Sequence, residues 1–214
     1  MTLFLILTLF ILSSGTLWPA PASVEAILAK PILEPDLPMV EVRVYTATHV
    51  SPMPPVRTAA QWNQVSKELR REVLDNVIFR GEAQKWRAAK IRVEWLETIT
   101  TDKGYRIRKL LFEAIPGLWV PALLYEPVRI SGKVPVVLNV NGHEKEGKSL
   151  PYIQERCINL AKRGIIALNP EWLGRGQLTT KGFVHYRENQ LDLCGTSGVS
   201  ILYLSLKHSL DVLL

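Results

Sequence analysis

Only two cysteines, Cys157 and Cys194, occur in the sequence, and neither has a second cysteine or a spaced histidine pair nearby. That excludes a zinc centre built on thiolates. Lysines and arginines outnumber acids, 26 to 20, yet no basic block forms. Arg70, Arg71, Arg106, Arg108 and Lys109 alternate with acids and apolar residues. The excess therefore reads as a solvated basic surface rather than a nucleic-acid site. No apolar run reaches the length that spans a bilayer. No Gly-Lys-Ser/Thr follows a glycine-rich loop, which excludes a phosphate loop. No G-x-S-x-G pentad is present, and no internal repeat is apparent. Hydrophobic residues still make up 47% and charged residues 21%, so the chain has the material for a core and is not disordered throughout.

The N-terminus reads as a removable export signal. Leu3 to Leu12 is almost purely apolar, Ser13 to Gly15 breaks it, and Ala20-Pro21-Ala22 offers small residues before Ser23. No Lys or Arg precedes Lys30, so the α-amino group alone supplies positive charge. An uncleaved anchor is the alternative. Residues 1–22 are thus a signal peptide, and a secreted or periplasmic location follows. Export would permit a disulfide, but Cys157 falls on the apolar face of an expected helix, and two unpaired thiols are the reading.

Residues 23–58 are proline-rich and read as a linker or strap, with Val40 to Tyr45 as a short strand. Residues 59–214 form the folded part. Thr58 caps a helix whose apolar stripe is Trp62, Val65, Leu69, Val73 and Val77, ended by Gly81. A short helical stretch follows from Glu82 to about Lys90. The period then falls to two around Ile91, Val93 and Trp95, again over Tyr105 to Leu111, and in Trp119 to Tyr125. Turns at Asp102-Lys103-Gly104 and Ile115-Pro116-Gly117 connect them as an antiparallel meander.

Val134 to Val140 is nearly continuous in apolar residues and is expected to be a strand buried on both faces. A helix opened by Ser149 and Pro151 carries Ile153, Cys157, Leu160 and Ala161 inward, and Gly164 ends it. Ile165 to Leu168 is a second buried strand, which completes a βαβ unit. Val199 to Leu214 is a last helix with Leu202, Leu206, Leu210 and Leu213 on its buried face and His208 on its polar side.

Chemistry concentrates after the two buried strands. Asn139-Val140-Asn141-Gly142-His143-Glu144 follows the first, and Asn169-Pro170-Glu171-Trp172-Leu173-Gly174-Arg175-Gly176 follows the second. Ligand sites in open α/β sheets gather at the C-terminal ends of strands, and a glycine turn there exposes amides that can stabilise an oxyanion. Each loop alone is equally an ordinary structural turn.

Together, with Leu193-Cys194-Gly195-Thr196-Ser197 before a long helix, these loops resemble the front half of an α/β hydrolase of the acetyl xylan esterase-like and dienelactone hydrolase-like group, over residues 60 to 214. The resemblance implies an incomplete α/β-hydrolase fold: N-terminal helices and antiparallel strands leading into a parallel βαβ sheet. It places Gly142 and the His143 amide at the oxyanion loop, with Asn141 where the group usually has histidine. Glu171, Gly174, Arg175 and Gly176 form the second cleft loop. It implies a serine ester hydrolase acting on a small-molecule or carbohydrate ester, with no cofactor, no metal and no oligomeric state specified.

In that group the nucleophile, acid and base come later in the chain, so the triad is absent here and the polypeptide is expected to be inactive. Ser197, in a motif one residue short of a nucleophile elbow, reads as a helix cap. His49, His143, His185 and His208 stand in the wrong places for the base. His185 reads as a surface-loop residue, with the cleft as the alternative. An exported module that binds a ligand without catalysis, and a peptidase of the same fold, are the rival functions.

Overall fold

The computed structural model describes residues 23–182 and 185–213; the expected signal peptide lies outside the described residues. The chain divides into two units, residues 1–55 and 56–214.

In the first unit, helix α1 (Val24–Leu28) is capped by Ser23, whose hydroxyl accepts the Ala26 amide at 3.2 Å. Helix α2 (Leu37–His49) replaces the strand expected at Val40 to Tyr45. A six-residue window is too short to separate a period of two from 3.6. Pro38 in the first turn suits a helix start, and the Thr46 and Thr48 hydroxyls bond back to the Val42 and Val44 carbonyls at 2.9 and 3.1 Å. Residues 51–57, which hold Pro52, Pro54 and Pro55, form no helix or strand.

The second unit opens with helix α3 (Ala59–Val73). The Thr58 hydroxyl accepts the Gln61 amide at 3.2 Å, while the Gln61 side chain accepts the Arg57 amide at 2.9 Å. This is a reciprocal cap readable from Thr-x-x-Gln. A wide π turn over Leu74–Ile78 extends the helix. The α3 stripe buries less than its periodicity suggests: no residue of α3 is buried, and Trp62 stays 46% exposed. Burial begins at Ile78 and Phe79. Gly81 then packs so closely on the Gly195 carbonyl that a Cβ would lie 1.7 Å from that oxygen. Helix α4 (Ala83–Trp86) is one turn long, shorter than expected.

The meander forms as read. Strands β1 (Val93–Thr100), β2 (Tyr105–Ile115) and β3 (Leu118–Pro127) pair antiparallel, with Leu110 opposite Ala122 and Phe112 opposite Val120. Gly104 and Gly117 take φ of +82° and +89° in the two turns. Strand β4 (Val136–Leu138), helix α5 (Pro151–Lys162) and strand β5 (Ile166–Pro170) form the βαβ unit, with β4 and β5 parallel. The sheet order is β1-β2-β3-β5-β4, and β3 meets β5 antiparallel.

Strands β2, β3 and β5 are covered on both faces, while β1 is exposed along its whole length. Tyr105, Ile107, Tyr125 and Ala167 pack with Cys157 and Ala161 of α5. Leu110, Phe112, Val120, Ala122, Leu124 and Leu168 form the cluster on the other face. Beside it, Ile78, Phe79 and Ile115 pack with Ile201 and Leu204 of helix α6 (Gly198–Asp211). Both thiols are free; burial pushes Cys157 up to about 11, while Cys194 is exposed.

Two expectations fail at the last elements. The strand at Val134 to Val140 is not buried on both faces. It contracts to the three residues of β4 at the sheet edge, and Val136 and Val137 are exposed. An apolar run reads alike in a central strand and in an edge strand without a second neighbour. The face of α6 is also rotated from the leucine stripe. Ile201, Leu204, Ser205, His208 and Ser209 are buried, while Leu210 is exposed. His208 is thus not on a polar side: it is 2% exposed, with Nδ1 2.6 Å from the Ala114 carbonyl, and ties α6 to β2.

Candidate functional site

The parallel pairing of β4 and β5 brings the two glycine loops to the same end of the sheet. The loops are then stitched by side chains that precede the glycines. Asn139 and Asn169 are both buried, and the Asn139 amide nitrogen donates to Asn169 Oδ1 at 3.1 Å. Asn169 in turn donates to the Lys148 carbonyl at 3.2 Å. Asn141 Nδ2 donates to the Pro170 carbonyl at 2.8 Å, and the Gly176 amide donates to the Lys145 carbonyl at 2.8 Å. Every one of these bonds crosses from one loop to the other.

Glu171 is the hub of that seam. Its carboxylate is 3% exposed and meets Lys148 Nζ at 2.7 Å. It also accepts the backbone amides of Lys148 at 2.9 Å and Gln177 at 3.1 Å. A buried carboxylate needs such partners. Two glycines make room for it. A Cβ on Gly147 would lie 2.1 Å from Glu171 Oε1, and one on Gly176 would lie 2.2 Å from Oε2. Both glycines also hold positive φ, +56° and +45°. Glu171 is therefore a clamp between loops, with its oxygens already committed.

The amides proposed from the sequence are open. Gly142 and His143 are exposed, and no hydrogen bond among the described residues occupies either amide. Gly142 does not take a positive φ. A Cβ there would meet nothing closer than the Tyr152 hydroxyl, at 3.9 Å.

Across from this loop stands a cluster that the sequence reading undervalued. Gly174, at φ +73°, lies so close to the chain that a Cβ would be 2.9 Å from the His185 backbone. The His185 ring meets the His143 ring edge-on at 4.9 Å between centroids, and Trp172 lies at 6.4 Å. His185 Nδ1 is 2.9 Å from Glu188 Oε1, so the ring is oriented by a carboxylate. His185 lines the cleft, the alternative to the surface-loop reading. Glu188 is buried, and burial raises its pKa, opposed by the His185 hydrogen bond and by the nearby Arg175 and His143 charges. Gly198 at the start of α6 abuts Glu188, where a Cβ would lie 2.8 Å away. The signal for Glu188 was present as His-x-x-Glu, one helical turn apart.

The remaining sequence candidates separate from this cluster. Ser197 holds the N-cap position of α6 with extended backbone and is 7% exposed, but its hydroxyl makes no capping hydrogen bond. No serine hydroxyl among the described residues bonds a histidine; Ser149, Ser205 and Ser209 donate to backbone carbonyls. His49 stacks on Tyr45 at 3.9 Å within α2. Among the described residues no group of three or more His, Cys, Asp or Glu could hold a metal ion.

No family model matches the sequence, and no curated protein matches it. Solved structures do. A Bacteroides fragilis protein assigned as an acetyl xylan esterase superposes with a TM-score of 0.64 at 17% identity, over 81% of this chain and 49% of its own. A methylesterase superposes with a TM-score of 0.56 at 19% identity, over 83% of this chain and 36% of its own. The chain thus spans about half and about a third of the length of these two proteins. Identities this low speak to the fold alone, which over the matched residues is of the α/β-hydrolase type.

Proposed function

We propose that this chain supplies the oxyanion wall of a carboxylic-ester hydrolase of the acetyl xylan esterase-like type. The single observation that carries the reading is that Gly142 and His143, exposed residues set beyond the end of β4 and beside the loop that follows β5, have amides that make no hydrogen bond among the described residues. Amides fixed in that position stabilise charge as it develops on a carbonyl oxygen attacked by a nucleophile. Glu171 and its two glycines keep the neighbouring loop rigid, and Arg175 lies on that loop. The substrate class that fits is a small-molecule or carbohydrate ester, and the reaction is acyl transfer through serine. With residues 1–22 as an export signal, the protein works in a secreted or periplasmic setting.

The same reading makes the 214-residue polypeptide inactive by itself. An oxyanion wall lowers a barrier only after a nucleophile has been activated, and Ser197 has neither exposure nor a histidine partner among the described residues. The test is release of 4-nitrophenol from 4-nitrophenyl acetate. The expected rate equals the buffer rate, unchanged by Ser197→Ala. Turnover that Ser197→Ala abolishes would overturn the assignment of roles.

A further inference from the structure

Two cations, Lys145 from the first loop and Arg175 from the second, have side chains that bond nothing among the described residues. A cavity of about 420 Å³ opens beside them, lined among others by Lys145, Arg175, Thr179, Thr180, His185 and Tyr186. No acid is among the described residues that line this cavity. Of the carboxylates nearby, Glu171 is committed to Lys148 and the loop amides and Glu188 to His185, with the Arg175 charge also acting on Glu188. Glu144 and Glu146 flank Lys145 in the chain, but neither is part of the lining. Arg175 Nε is buried without any hydrogen-bond partner. Neither Arg175 nor Lys145 is in an ion pair among the described residues; Lys148, three residues on from Lys145, takes the Glu171 carboxylate. The guanidinium of Arg175, which lines the cavity, makes no side-chain hydrogen bond among the described residues and is left to donate to a ligand there.

We infer that this cavity is a subsite for a carboxylate carried on a sugar-sized molecule. The planar guanidinium of Arg175 matches the two oxygens of a carboxylate, and Lys145 adds a second positive charge. The hydroxyls of Thr180 and Tyr186 give neutral donors and acceptors of the kind that hold a carbohydrate ring. The volume is that of a small-molecule site and far exceeds a bare acetate ion. Because His185 joins the cavity to the His143 loop by ring contact, the acid group would sit beside the oxyanion wall. This deepens the esterase reading and rests on it for its biological use: the carbohydrate part of the ester is acidic.

The experiment reads binding alone, so its failure and the failure of the esterase reading are distinguishable. The full chain is titrated at low salt with glucuronate, glucose, acetate and inorganic phosphate, followed by calorimetry, as wild type, Arg175→Gln and Lys145→Ala. The expected result is saturable glucuronate binding, with glucose and acetate at least tenfold weaker. Arg175→Gln should weaken glucuronate at least tenfold and Lys145→Ala severalfold, with the melting temperature of Lys145→Ala unchanged. Should Arg175→Gln not fold, Lys145→Ala decides, because Lys145 is exposed and its side chain bonds no other described residue. Absent glucuronate binding, equal binding of glucose, or wild-type affinity in Lys145→Ala would overturn the proposal. Phosphate that matches glucuronate would overturn the carboxylate assignment.

Discussion

Glu171→Ala should lower stability by about 3–5 kcal/mol, the usual cost of removing one partner of a buried ion pair. For a folded unit of this size that corresponds to a fall in melting temperature of about 6–20 °C. The reason is local. Lys148 Nζ, 9% exposed at its side chain, loses its carboxylate, and the Lys148 and Gln177 amides lose their acceptor. A control separates this from a general effect of removing charge. Glu97 pairs with Lys109 on the surface, and Glu97→Ala should cost little because solvent screens an exposed pair. Replacing the Glu171–Lys148 pair together by Leu and Met should recover part of the loss, because no charge is then left buried. Chemical denaturation monitored by tryptophan fluorescence measures all four proteins. A loss from Glu171→Ala no larger than that of Glu97→Ala would show that the carboxylate does not clamp the loops.

The second large effect belongs to Gly176→Ala, and its size should depend on Glu171. In the wild type the added methyl meets Glu171 at 2.2 Å on one oxygen and 2.8 Å on the other. It also imposes a left-handed backbone on alanine, at about 1–2 kcal/mol. The clash displaces the carboxylate, so the expected total is about 3–4 kcal/mol. In the Glu171→Ala background the three nearest atoms to the new methyl are gone, and only the backbone term of about 1–2 kcal/mol remains. A double-mutant cycle should therefore show strong coupling between the two positions. Additive losses would mean that Gly176 is required for its backbone alone and does not cradle the carboxylate.

Much of the architecture was legible because its signals are local. The meander announced itself through alternation and through Gly104 and Gly117, which alone tolerate the φ values their turns require. The βαβ unit was bounded by Pro151 and Gly164, a proline at a helix start and a glycine at its end. The α3 start was written in Thr58 and Gln61.

The errors arose where burial depends on distant partners. The buried face of α6 includes Ser205 and Ser209, whose hydroxyls bond to carbonyls of their own helix at 2.8 and 2.7 Å. Such serines enter a core without an apolar signal, so the leucine stripe pointed one residue, about 100°, away from the true face. That the two loops leave one end of the sheet was legible, since the parallel pairing of β4 and β5 dictates it. The role of Glu171 was not, because its partner Lys148 lies 23 residues earlier, on the other loop. His185 was weighed as a surface residue because nothing in the local sequence shows that Gly174 lets it approach the cleft.

The central claim is that the loop after β4 and the loop after β5 form one continuous wall. The most direct measurement is a nuclear Overhauser spectrum of the full chain with labelled histidine. The four histidines give few ring signals, and the 4.9 Å centroid separation predicts a cross-peak between the His143 and His185 rings. It should vanish in His185→Ala. A folded protein with assigned rings and no such cross-peak would place the two loops apart and remove the pocket on which the esterase reading depends.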